Sequence, residues 1–597
     1  MHLREVFCLQ KNYDVVIIGL GTAGSIAAIK CAKLGLSVLG VERLTQMGGT
    51  GTSGGICGYY YGSSGGYYEE INKKASDIQN EYFIDAPYTL SEPKGIALER
   101  EALSSGVEIS YNTHCISVKK DGNKVVSATF IKNGEKFEVF SKLFMDTSGN
   151  GDFSYLCGCE FMGGRDSDNA YMPYTNPLFV ANPTPRVLNR DSGLIDMADN
   201  TAYSKELVHS ASLYPFEWKI MEKDATFLKL APLPGIRESR RVVTEKVVTF
   251  EEAISREKFE DTIFYAFSNA DTHEKCIALE PDTAKDWYVA CNLWGVCMSV
   301  AVPMRALIPE KIDSLLCGGR ILGVTHTLSS VVRMKKDMEK CGEAMAYMAF
   351  IAISKNIEIR NVSYSDLLPF LLKSGVLDEK NDVGFLNRTK DGLSPFEFST
   401  TIKELDEDLS SERETFGIFS AKQIENSAEY LTKMQNSTDR KGKLCAIALG
   451  RMGDERAIPV LREIAKNRDM TLPHALKMTV PFSISAIYLL GKLKDRQSVP
   501  ILKDIISDNG SFDESLYVSN EMFPEKEDLR FQFVSHSVSS LKEIALFADD
   551  LKDDILNFLK KELVLSDRSF VLNIKAGHKL KPVPFDYGKV IKNFILS

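Results

Sequence analysis

The 597-residue sequence lacks any long hydrophobic run, and no segment approaches the ~18–20 consecutive apolar residues that a membrane-spanning helix needs. It also lacks a surplus of basic residues, because 72 lysines and arginines stand against 81 aspartates and glutamates, a formal net charge of −9. A nucleic-acid partner would require surplus cations to neutralise phosphates. The sequence therefore predicts neither a membrane protein nor a nucleic-acid-binding protein.

Cysteine spacing gives no sign of a metal site. The twelve cysteines are scattered, and the closest pair, Cys157 and Cys159, has one intervening residue instead of the two that zinc and redox motifs use. We therefore expect the cysteines to be small buried apolar side chains of a protein in a reducing compartment, and we expect no bound metal. Residues 1–12 contain no apolar signal region followed by a small-residue cleavage site, so a cytoplasmic location is predicted.

A strand–helix–strand unit is predicted near the start of the chain. Residues 13–18 form a β-branched run that is typical of a buried parallel strand. Residues 22–34 have small and apolar side chains at helical spacing, and residues 36–41 form a second strand that ends at Glu42. Such a βαβ unit, about 30 residues long, is the framework of dinucleotide-binding folds.

The turn between the first strand and the helix has the pattern Gly19-x-Gly21-x-x-Gly24. Gly19 permits the tight bend, Gly21 lets backbone N–H groups approach a pyrophosphate, and Gly24 allows close helix–strand packing. Glu42 lies 18 residues after Gly24, where it can accept the ribose hydroxyls. An acidic residue there disfavours the 2′-phosphate of NADP, whereas NAD and FAD both remain compatible with this turn.

A glycine-rich segment, residues 47–55 (MGGTGTSGG), directly follows the second strand. So many glycines let the backbone lie flat against a ligand such as a flavin ring, and a mobile loop without a ligand is the alternative. This segment favours FAD over NAD.

The C-terminal part contains a repeat. Gly450 and Gly491 are 41 positions apart, as are Pro459 and Pro500. The residues around these positions line up as two copies of one pattern of short helices. A period of about 40 residues with paired helices is typical of HEAT-type solenoids. A third, degraded unit is expected at residues 538–559. Because three repeats are near the minimum for stability, we expect this block to pack against the rest of the chain and to be stabilised by it.

Four segments, in the same order, resemble the FAD-dependent oxidoreductases related to fumarate reductase flavoproteins, in a bacterial branch of that family. These segments are the Gly19 turn with Glu42 and the loop at Gly48, residues 145–152, residues 235–241 with 271–273, and residues 315–320 leading through His326 and Arg333 to Gly342.

The resemblance implies a fold: a Rossmann-like α/β FAD-binding domain of the glutathione-reductase type, an inserted α+β substrate domain, and a C-terminal all-α region with HEAT-like repeats. The first part of the FAD-binding domain is expected at residues 1–165 and its closing part at residues 301–355. The substrate domain is expected between them, at residues 166–300, and the helical region at residues 356–597. An antiparallel meander is expected between residues 107 and 145.

The resemblance also implies which residues bind FAD. The expected set is Gly19, Gly21, Thr22, Ala23, Gly24, Glu42, Arg43, Gly48, Gly49, Thr50, Thr52, Cys115, Thr147, Ser148, Gly149, Asp152, Gly319, Arg320, Arg333 and Gly342. A helix beginning at Gly342 would aim its positive end at the N1–C2=O edge of the flavin. Glu343, which replaces the usual glutamine, would add a negative charge there. No histidine lies between residues 42 and 66, so the FAD is expected to be noncovalent.

Hydride transfer needs a proton donor or acceptor and cations that fix the substrate. His326 is the leading candidate for the acid/base and Arg333 for the anchor, with His273 and Arg237 as further candidates. The alternatives are a buried histidine satisfied by its neighbours and arginines held in structural ion pairs.

The predicted function is an FAD-dependent oxidoreductase that transfers hydride between flavin N5 and a small polar substrate, with a carbohydrate-like molecule as one candidate. The sequence does not identify the electron acceptor, and it leaves self-association open. Two alternatives are an FAD-dependent isomerase or eliminase without net redox chemistry, and a flavin-containing interaction protein that uses the HEAT-like region.

Overall fold

The computed structural model of the chain describes residues 12–82, 89–181, 184–195, 199, 201, 203–205, 208, 226–475, 478–574 and 583–597. The strands are β1 (Asn12–Ile18), β2 (Val38–Val41), β3 (Glu108–Ser110), β4 (Thr113–Asp121), β5 (Lys124–Lys132), β6 (Glu135–Asp146), β7 (Phe161–Met162), β8 (Tyr174–Ala181), β9 (Pro185–Gly193), β10 (Thr226–Leu230), β11 (Arg241–Val242), β12 (Thr262–Asn269), β13 (Val296–Pro303), β14 (Leu315–Cys317), β15 (Phe385–Thr389), β16 (Gly392–Pro395), β17 (Val571–Ile574) and β18 (Val583–Asp586).

The α-helices of the described residues are α1 (Thr22–Lys33), α2 (Tyr68–Tyr82), α3 (Ser91–Ser104), α4 (Asp152–Cys157), α5 (Phe250–Ile254), α6 (Asp282–Lys285), α7 (His326–Val332), α8 (Lys335–Lys355), α9 (Tyr364–Ser374), α10 (Ile402–Leu409), α11 (Glu414–Ser420), α12 (Ser427–Met434), α13 (Arg440–Arg451), α14 (Ile458–Lys466), α15 (Phe482–Lys492), α16 (Val499–Ser507), α17 (Lys526–Phe547), α18 (Asp549–Leu559) and α19 (Gly588–Leu596). Within these residues, no helix is both long enough and apolar enough to cross a bilayer.

The largest sheet has seven strands in the order β3-β2-β1-β6-β5-β4, and β14 also pairs with β6. Strands β3, β2, β1, β6 and β14 are parallel to one another, and β4, β5 and β6 form an antiparallel meander. The predicted βαβ unit and meander are confirmed. Residues 108–110, which the sequence placed in the meander, instead extend the parallel edge beside β2.

The register of the parallel strands determines where the functional loops meet. Ile18 lies opposite both Val41 and Asp146 in the neighbouring strands. The residues that follow, Gly19 and Glu42 among them, therefore emerge at the same edge of the sheet. Ligands of open parallel sheets bind at this carboxyl edge.

Two further sheets lie in the middle of the chain. One has the strand order β10-β8-β9, and the other has the order β12-β13-β15-β16, while β7 and β11 form a separate pair. Strands β15 and β16 belong to the region predicted to be all helical, and β17 and β18 form an antiparallel pair there. The all-helical prediction for residues 356–597 is therefore wrong at residues 385–389, 392–395, 571–574 and 583–586, where short strands pair outside the repeat.

The repeat appears as three helix pairs, α13 with α14, α15 with α16, and α17 with α18. Asp454 and Asp495, at equivalent positions, each cap a short 3-10 turn by accepting a backbone hydrogen bond. A side chain at Gly491 would lie 2.5 Å from Ser540 Oγ, so this glycine allows α15 and α17 to pack closely. The third pair begins at Lys526, earlier than the predicted residue 538.

Gly342 sits inside α8, where that helix crosses α1. An added Cβ would lie 2.0 Å from the Ala23 carbonyl oxygen, a contact that the two helices cannot accommodate without moving apart. We expect Gly342→Ala to destabilise the protein by about 1–3 kcal/mol, as overpacking does. Chemical denaturation measures the effect, and Ser354→Ala on the exposed side of the same helix is the control, with an expected change within about 0.5 kcal/mol. Equal stability of the two variants would contradict this packing role.

Candidate functional site

A cavity of about 710 Å³ lies at the carboxyl edge of the parallel sheet. At one end its wall consists of the turn after β1, the end of β2 and the loop after β6. Further along it includes the loops after β2 and β14 and the start of α8. At the other end it is lined by residues 233–237, by residues 269–275 at and after the end of β12, and by four residues of the C-terminal region, Arg388 on β15 with Met478, Glu521 and Met522.

The dinucleotide turn is held tightly by its neighbours. Gly19 has a φ of +92°, in the left-handed region, and a Cβ there would lie 2.6 Å from the Ser148 backbone. Thr147 Oγ1 donates a 2.6 Å hydrogen bond to the Gly19 carbonyl. Gly21, in contrast, faces open space, since an added Cβ would meet only the Thr147 carbonyl oxygen, at 3.8 Å. The backbone at Gly21 is therefore accessible from the cavity, as phosphate binding requires.

Glu42 lies at the end of β2 and is buried. Its carboxylate accepts the backbone N–H groups of Leu20, at 2.8 Å, and Leu44, at 3.0 Å. Burial raises the pKa of Glu42, although these two hydrogen bonds oppose that shift. Each carboxylate oxygen retains a second lone pair, so Glu42 can still accept hydroxyl groups from the cavity.

Most of the predicted cofactor-binding residues line the cavity. These are Gly19, Gly21, Thr22, Ala23, Glu42, Arg43, Gly49, Thr50, Cys115, Thr147, Ser148, Gly149, Asp152, Gly319, Arg320 and Arg333.

Four predicted cofactor-binding residues lie outside the cavity wall. Side chains at Gly24 and Gly342 would collide with backbone atoms of α1 and its preceding turn, so these glycines serve packing. Gly48 donates its N–H to the Leu20 carbonyl, at 2.8 Å, and packs against Thr52. Thr52 is buried, and its hydroxyl donates to the Met47 carbonyl. These residues shape the loops without facing the cavity.

The helix that was expected to begin at Gly342 begins at Lys335, two turns earlier. Met334, Lys335 and Met338 line the cavity, so the N-terminal end of α8 faces it. Burial lowers the pKa of Lys335 to about 8. Glu343 does not line the cavity and forms an ion pair with Lys30 at 3.0 Å in the packing of α8 against α1, and its expected effect on the cofactor stays a prediction.

Arg320 holds two parts of the cavity wall together. Its guanidinium donates to the Gly149 carbonyl at 2.7 Å and to the Ile236 carbonyl at 2.9 Å. Burial, with the nearby Arg43 and Arg333, lowers the pKa of Arg320 to about 10. Its accepting partners are neutral carbonyls, so the positive charge of Arg320 is available to an anion in the cavity.

His273 lies between two carboxylates at the far end of the cavity. Its Nδ1 is 2.6 Å from Asp191 Oδ2, and its Nε2 is 3.2 Å from Asp271 Oδ2. Burial and Arg237 lower the pKa of His273, but the two carboxylates outweigh them, and the pKa is raised above its ordinary value. The His273 side chain retains 23% exposure, so the ring is accessible from the cavity.

Two arginines complete this cluster. Arg237 forms an ion pair with Asp191, with 2.7 Å between Nη2 and Oδ1. Arg333 Nη2 donates to the Asp271 backbone carbonyl at 2.6 Å. We name the five residues His273, Asp191, Asp271, Arg237 and Arg333 the His273 cluster. With His273 protonated, the cluster has three positive and two negative charges.

Several buried polar atoms beside the His273 cluster have no hydrogen-bond partner within the described part of the chain. They belong to residues that line the cavity: Thr175 Oγ1, Asn269 Oδ1, Trp294 Nε1 and Arg333 Nε. A buried polar group without a partner costs free energy, so such groups are normally satisfied by solvent or ligand. This end of the cavity is therefore equipped with both donors and acceptors for a polar molecule.

The structure places His326 away from the cavity wall. It is 6% exposed, with Nδ1 at 2.8 Å from Glu238 Oε1 and Nε2 at 3.3 Å from Glu280 Oε1. Burial lowers its pKa, but the two glutamates prevail and raise it to about 9. The geometry places His326 in a buried charge cluster outside the cavity wall, and its role as the acid/base stays a prediction.

Residues of the site that the sequence did not indicate come from distant segments. Asp191 is 82 positions from His273, and neither Asn269 nor Trp294 belongs to a recognisable motif. For Asp271, the short spacing to His273 in residues 271–273 was the available signal.

A profile of the family described as FAD dependent oxidoreductase matches residues 14–212 and 194–371, and a profile for PBS lyase HEAT-like repeats matches residues 444–467. The first match covers most of the cavity-lining residues, all except Arg388, Met478, Glu521 and Met522, and the second covers part of the first predicted repeat.

Two curated proteins are similar to part of the chain. A 1H-pyrrole-2-carbonyl-[peptidyl-carrier protein] brominase of Pseudoalteromonas luteoviolacea is 35% identical over 164 residues, which cover 24% of this chain and 39% of that protein. A digeranylgeranylglycerophospholipid reductase of Picrophilus torridus is 31% identical over 165 residues, covering 24% of this chain and 40% of that protein. The chain thus spans about two fifths of the length of these relatives.

Among solved structures, a triple mutant of the flavin-dependent brominase Bmp2 is 16% identical, with a TM-score of 0.31, and the match covers 60% of this chain and 84% of that one. The match to the FAD dependent oxidoreductase profile over more than half of the chain shows that the cofactor is FAD, as predicted. The narrower relation to fumarate reductase flavoproteins stays a prediction, as does the cytoplasmic location.

The residues present fit FAD. The accessible backbone at Gly21 and the free lone pairs of Glu42 suit a pyrophosphate and a ribose. Gly49 and Thr50 line the cavity together with the start of α8, where a positive helix end favours negative charge. Within the described residues, no histidine lies on the loop after β2, so nothing there argues for a covalent link.

We expect Glu42→Gln to weaken FAD binding about tenfold, because an amide N–H₂ would face a backbone N–H that the carboxylate now satisfies. Fluorescence titration of apoprotein with FAD measures the dissociation constant. Glu135→Gln, an exposed glutamate at the start of β6, is the matched control and should bind as the wild type does. Equal affinity of both variants would remove Glu42 from the FAD site.

Proposed function

The chain belongs to the family of FAD dependent oxidoreductases, and on that premise we propose that it transfers hydride between FAD and a small polar substrate held at the His273 cluster. When bound, FAD supplies the group that accepts or donates the hydride. The observation that supports this proposal best is His273 itself, an accessible histidine fixed between Asp191 and Asp271 on the cavity wall.

The two contacts of His273 differ in a way that suits proton transfer. Asp191 holds Nδ1 at 2.6 Å and is itself fixed by Arg237, so it orients the ring and favours its protonated form. The contact between Nε2 and Asp271 is longer, at 3.2 Å. We infer that Nε2 is the atom that releases this contact and exchanges a proton with a substrate oxygen or nitrogen.

Arg333 is the substrate anchor in this proposal. Its Nη2 is occupied by the Asp271 carbonyl, whereas its buried Nε has no partner among the described residues. A substrate oxygen at Nε would satisfy that group and lie beside His273. Fixing the substrate in this way lowers the entropic cost of reaction. Arg237, which is bound to Asp191 and to the Pro173 carbonyl, serves to hold the cluster together.

The substrate class rests on the polar groups of the cavity. The names of the two curated relatives refer to a pyrrole carbonyl on a carrier protein and to a glycerophospholipid, neither of which is a carbohydrate. The carbohydrate-like candidate therefore has no support from the relatives. Within this proposal the substrate is defined by a hydrogen-bonding oxygen or nitrogen next to the reacting carbon.

Anaerobic mixing of the FAD-bound protein with a panel of metabolites tests this function. A substrate should bleach the flavin absorbance, and admission of oxygen or another acceptor should restore it. Reductase chemistry is tested in the reverse direction, with dithionite-reduced protein and oxidised metabolites. Turnover of a substrate without any change in flavin absorbance and without an electron acceptor would contradict the proposal and favour non-redox chemistry.

A further inference from the structure

The C-terminal helical region forms part of the cavity wall. Met478, Glu521 and Met522 line the cavity together with the His273 cluster. Met478 lies in the loop between α14 and α15, and Glu521 and Met522 lie in the loop between α16 and α17. Loops of the repeat thus reach the end of the cavity that contains the proposed substrate site.

These two loops are joined to each other through Asn520. Its Nδ2 donates to the Thr479 carbonyl at 3.1 Å, and its Oδ1 accepts the N–H groups of Met522 at 2.8 Å and Phe523 at 3.0 Å. Met522 and Phe523 are almost fully buried. Asn520 therefore ties Thr479 in the first loop to Met522 and Phe523 in the second.

Lys275 connects this wall to the His273 turn. Its Nζ donates to the Met522 carbonyl at 2.7 Å and lies 3.6 Å from Asp528 Oδ1, and its own carbonyl accepts a 2.6 Å hydrogen bond from Gln532 Nε2. Lys275 is 3% exposed and Gln532 is fully buried. A buried ammonium requires such partners, so this set of contacts fixes both the side chain and the backbone of Lys275.

Lys275 is only two residues beyond His273. His273 has a φ of +59°, a left-handed conformation that is uncommon for non-glycine residues. Glu274 Oε1 accepts the N–H groups of Lys275 and Cys276, both at 2.7 Å, which stiffens the chain after the turn. Because only Glu274 separates Lys275 from His273, the contacts that fix Lys275 also restrict the position of the His273 imidazole.

We propose that Lys275 and Gln532 are positioning residues, through which the C-terminal helical region holds the His273 turn against the cavity. This inference rests on the proposed function, because it assumes that His273 acts on the bound substrate. The repeat block is then an integral part of the active site, and it does not need a separate protein partner to have a role in the reaction.

The test uses the full-length, FAD-bound protein and two variants, Lys275→Met and Gln532→Leu. Hydrogen–deuterium exchange should rise about tenfold in residues 269–276, since each variant removes a buried hydrogen bond, and should be unchanged in residues 22–33. Sulfite, which adds reversibly to oxidised flavins and bleaches them, is the probe of the cavity. Displacement of the His273 cluster, which is net positive when His273 is protonated, should raise the dissociation constant of the sulfite anion about fivefold.

Lys492→Met is the matched control. It removes an interface ion pair with Asp286, at 2.7 Å, in the same C-terminal region but away from the His273 turn. It should change neither the exchange of residues 269–276 nor sulfite binding. Lys275→Arg, which can still donate to the Met522 carbonyl, should restore both measurements towards the wild type. Because Gln532→Leu removes no charge, it provides the test if Lys275→Met does not fold.

Two results would overturn the inference. The first is unchanged exchange in residues 269–276 for both variants, which would mean that the contacts do not hold the turn. The second is faster exchange with unchanged sulfite affinity, which would mean that the contacts are structural only. Failure of the proposed function is distinct: sulfite binding and exchange would respond as expected, yet no metabolite would reduce the wild-type flavin and none would oxidise the reduced protein.

Discussion

Replacing His273 with glutamine is expected to slow hydride transfer between substrate and bound FAD about a hundredfold or more, because general acid–base catalysis contributes about 10²–10⁴-fold. Glutamine can keep a hydrogen bond to Asp191 but cannot exchange a proton. Rapid anaerobic mixing, followed by flavin absorbance, measures the rate constant at saturating substrate. FAD content should be unchanged, because His273 is held by Asp191 and Asp271 and not by residues of the dinucleotide turn.

His114→Gln is the control, since His114 also lines the cavity but lies on β4, next to Thr113, whose N–H donates to the Glu42 carbonyl. Its rate should match the wild type. In the wild type we further expect the rate to change with pH at a value above 6.5, where His273 loses its proton. The carboxylates of Asp191 and Asp271 raise the pKa of His273 above its ordinary value, against the effect of burial. A wild-type rate and pH profile in His273→Gln would show that another group transfers the proton.

Replacing His326 with glutamine should have the opposite effects, a large loss of stability and little loss of chemistry. The variant leaves Glu238 and Glu280 buried without their shared cation, which we expect to cost about 3 kcal/mol. Chemical denaturation near pH 6 measures the loss, and the exposed His114→Gln should differ from the wild type by about 0.5 kcal/mol or less. The rate of hydride transfer should change only a few-fold, because His326 does not line the cavity.

The pH dependence of this loss follows from the raised pKa of His326. Its folded-state pKa, about 9, exceeds the ordinary value of 6.5. The stabilisation by protonated His326 is therefore fully present below about pH 6.5 and is lost as the pH rises through about 9. The stability difference between the wild type and His326→Gln should shrink over that range. A constant difference, or one that grows with pH, would contradict the proposed charge cluster.

The two histidines show what the sequence could and could not predict. The turn from Gly19 to Gly24 and the acid at Glu42 were predictable, because their function depends on backbone conformation and strand order within one βαβ unit. Both histidines lie in motif segments, yet only the fold decides which one faces the cavity. His326 meets Glu238 across 88 positions of sequence, and His273 meets Asp191 across 82. Such distant pairings leave no local pattern.

The start of α8 illustrates a second limit. The sequence offers Gly342 as a plausible beginning for a helix, but glycine also serves where two helices cross closely. In the structure the contact with Ala23 explains that glycine, and the helix extends two turns further towards the cavity. The contribution of Met478, Glu521 and Met522 was equally hidden, because loops of a helical repeat give no sign of the surface on which they pack.

A crystal structure of the FAD-bound protein tests the central claim most directly. We expect the adenosine end of FAD at Gly21 and Glu42, and the isoalloxazine ring between Gly49 and the start of α8. Its reacting face should be open to the His273 cluster across a gap that one small molecule can fill. A ring bound outside this cavity, or one separated from His273 by protein side chains, would contradict the account.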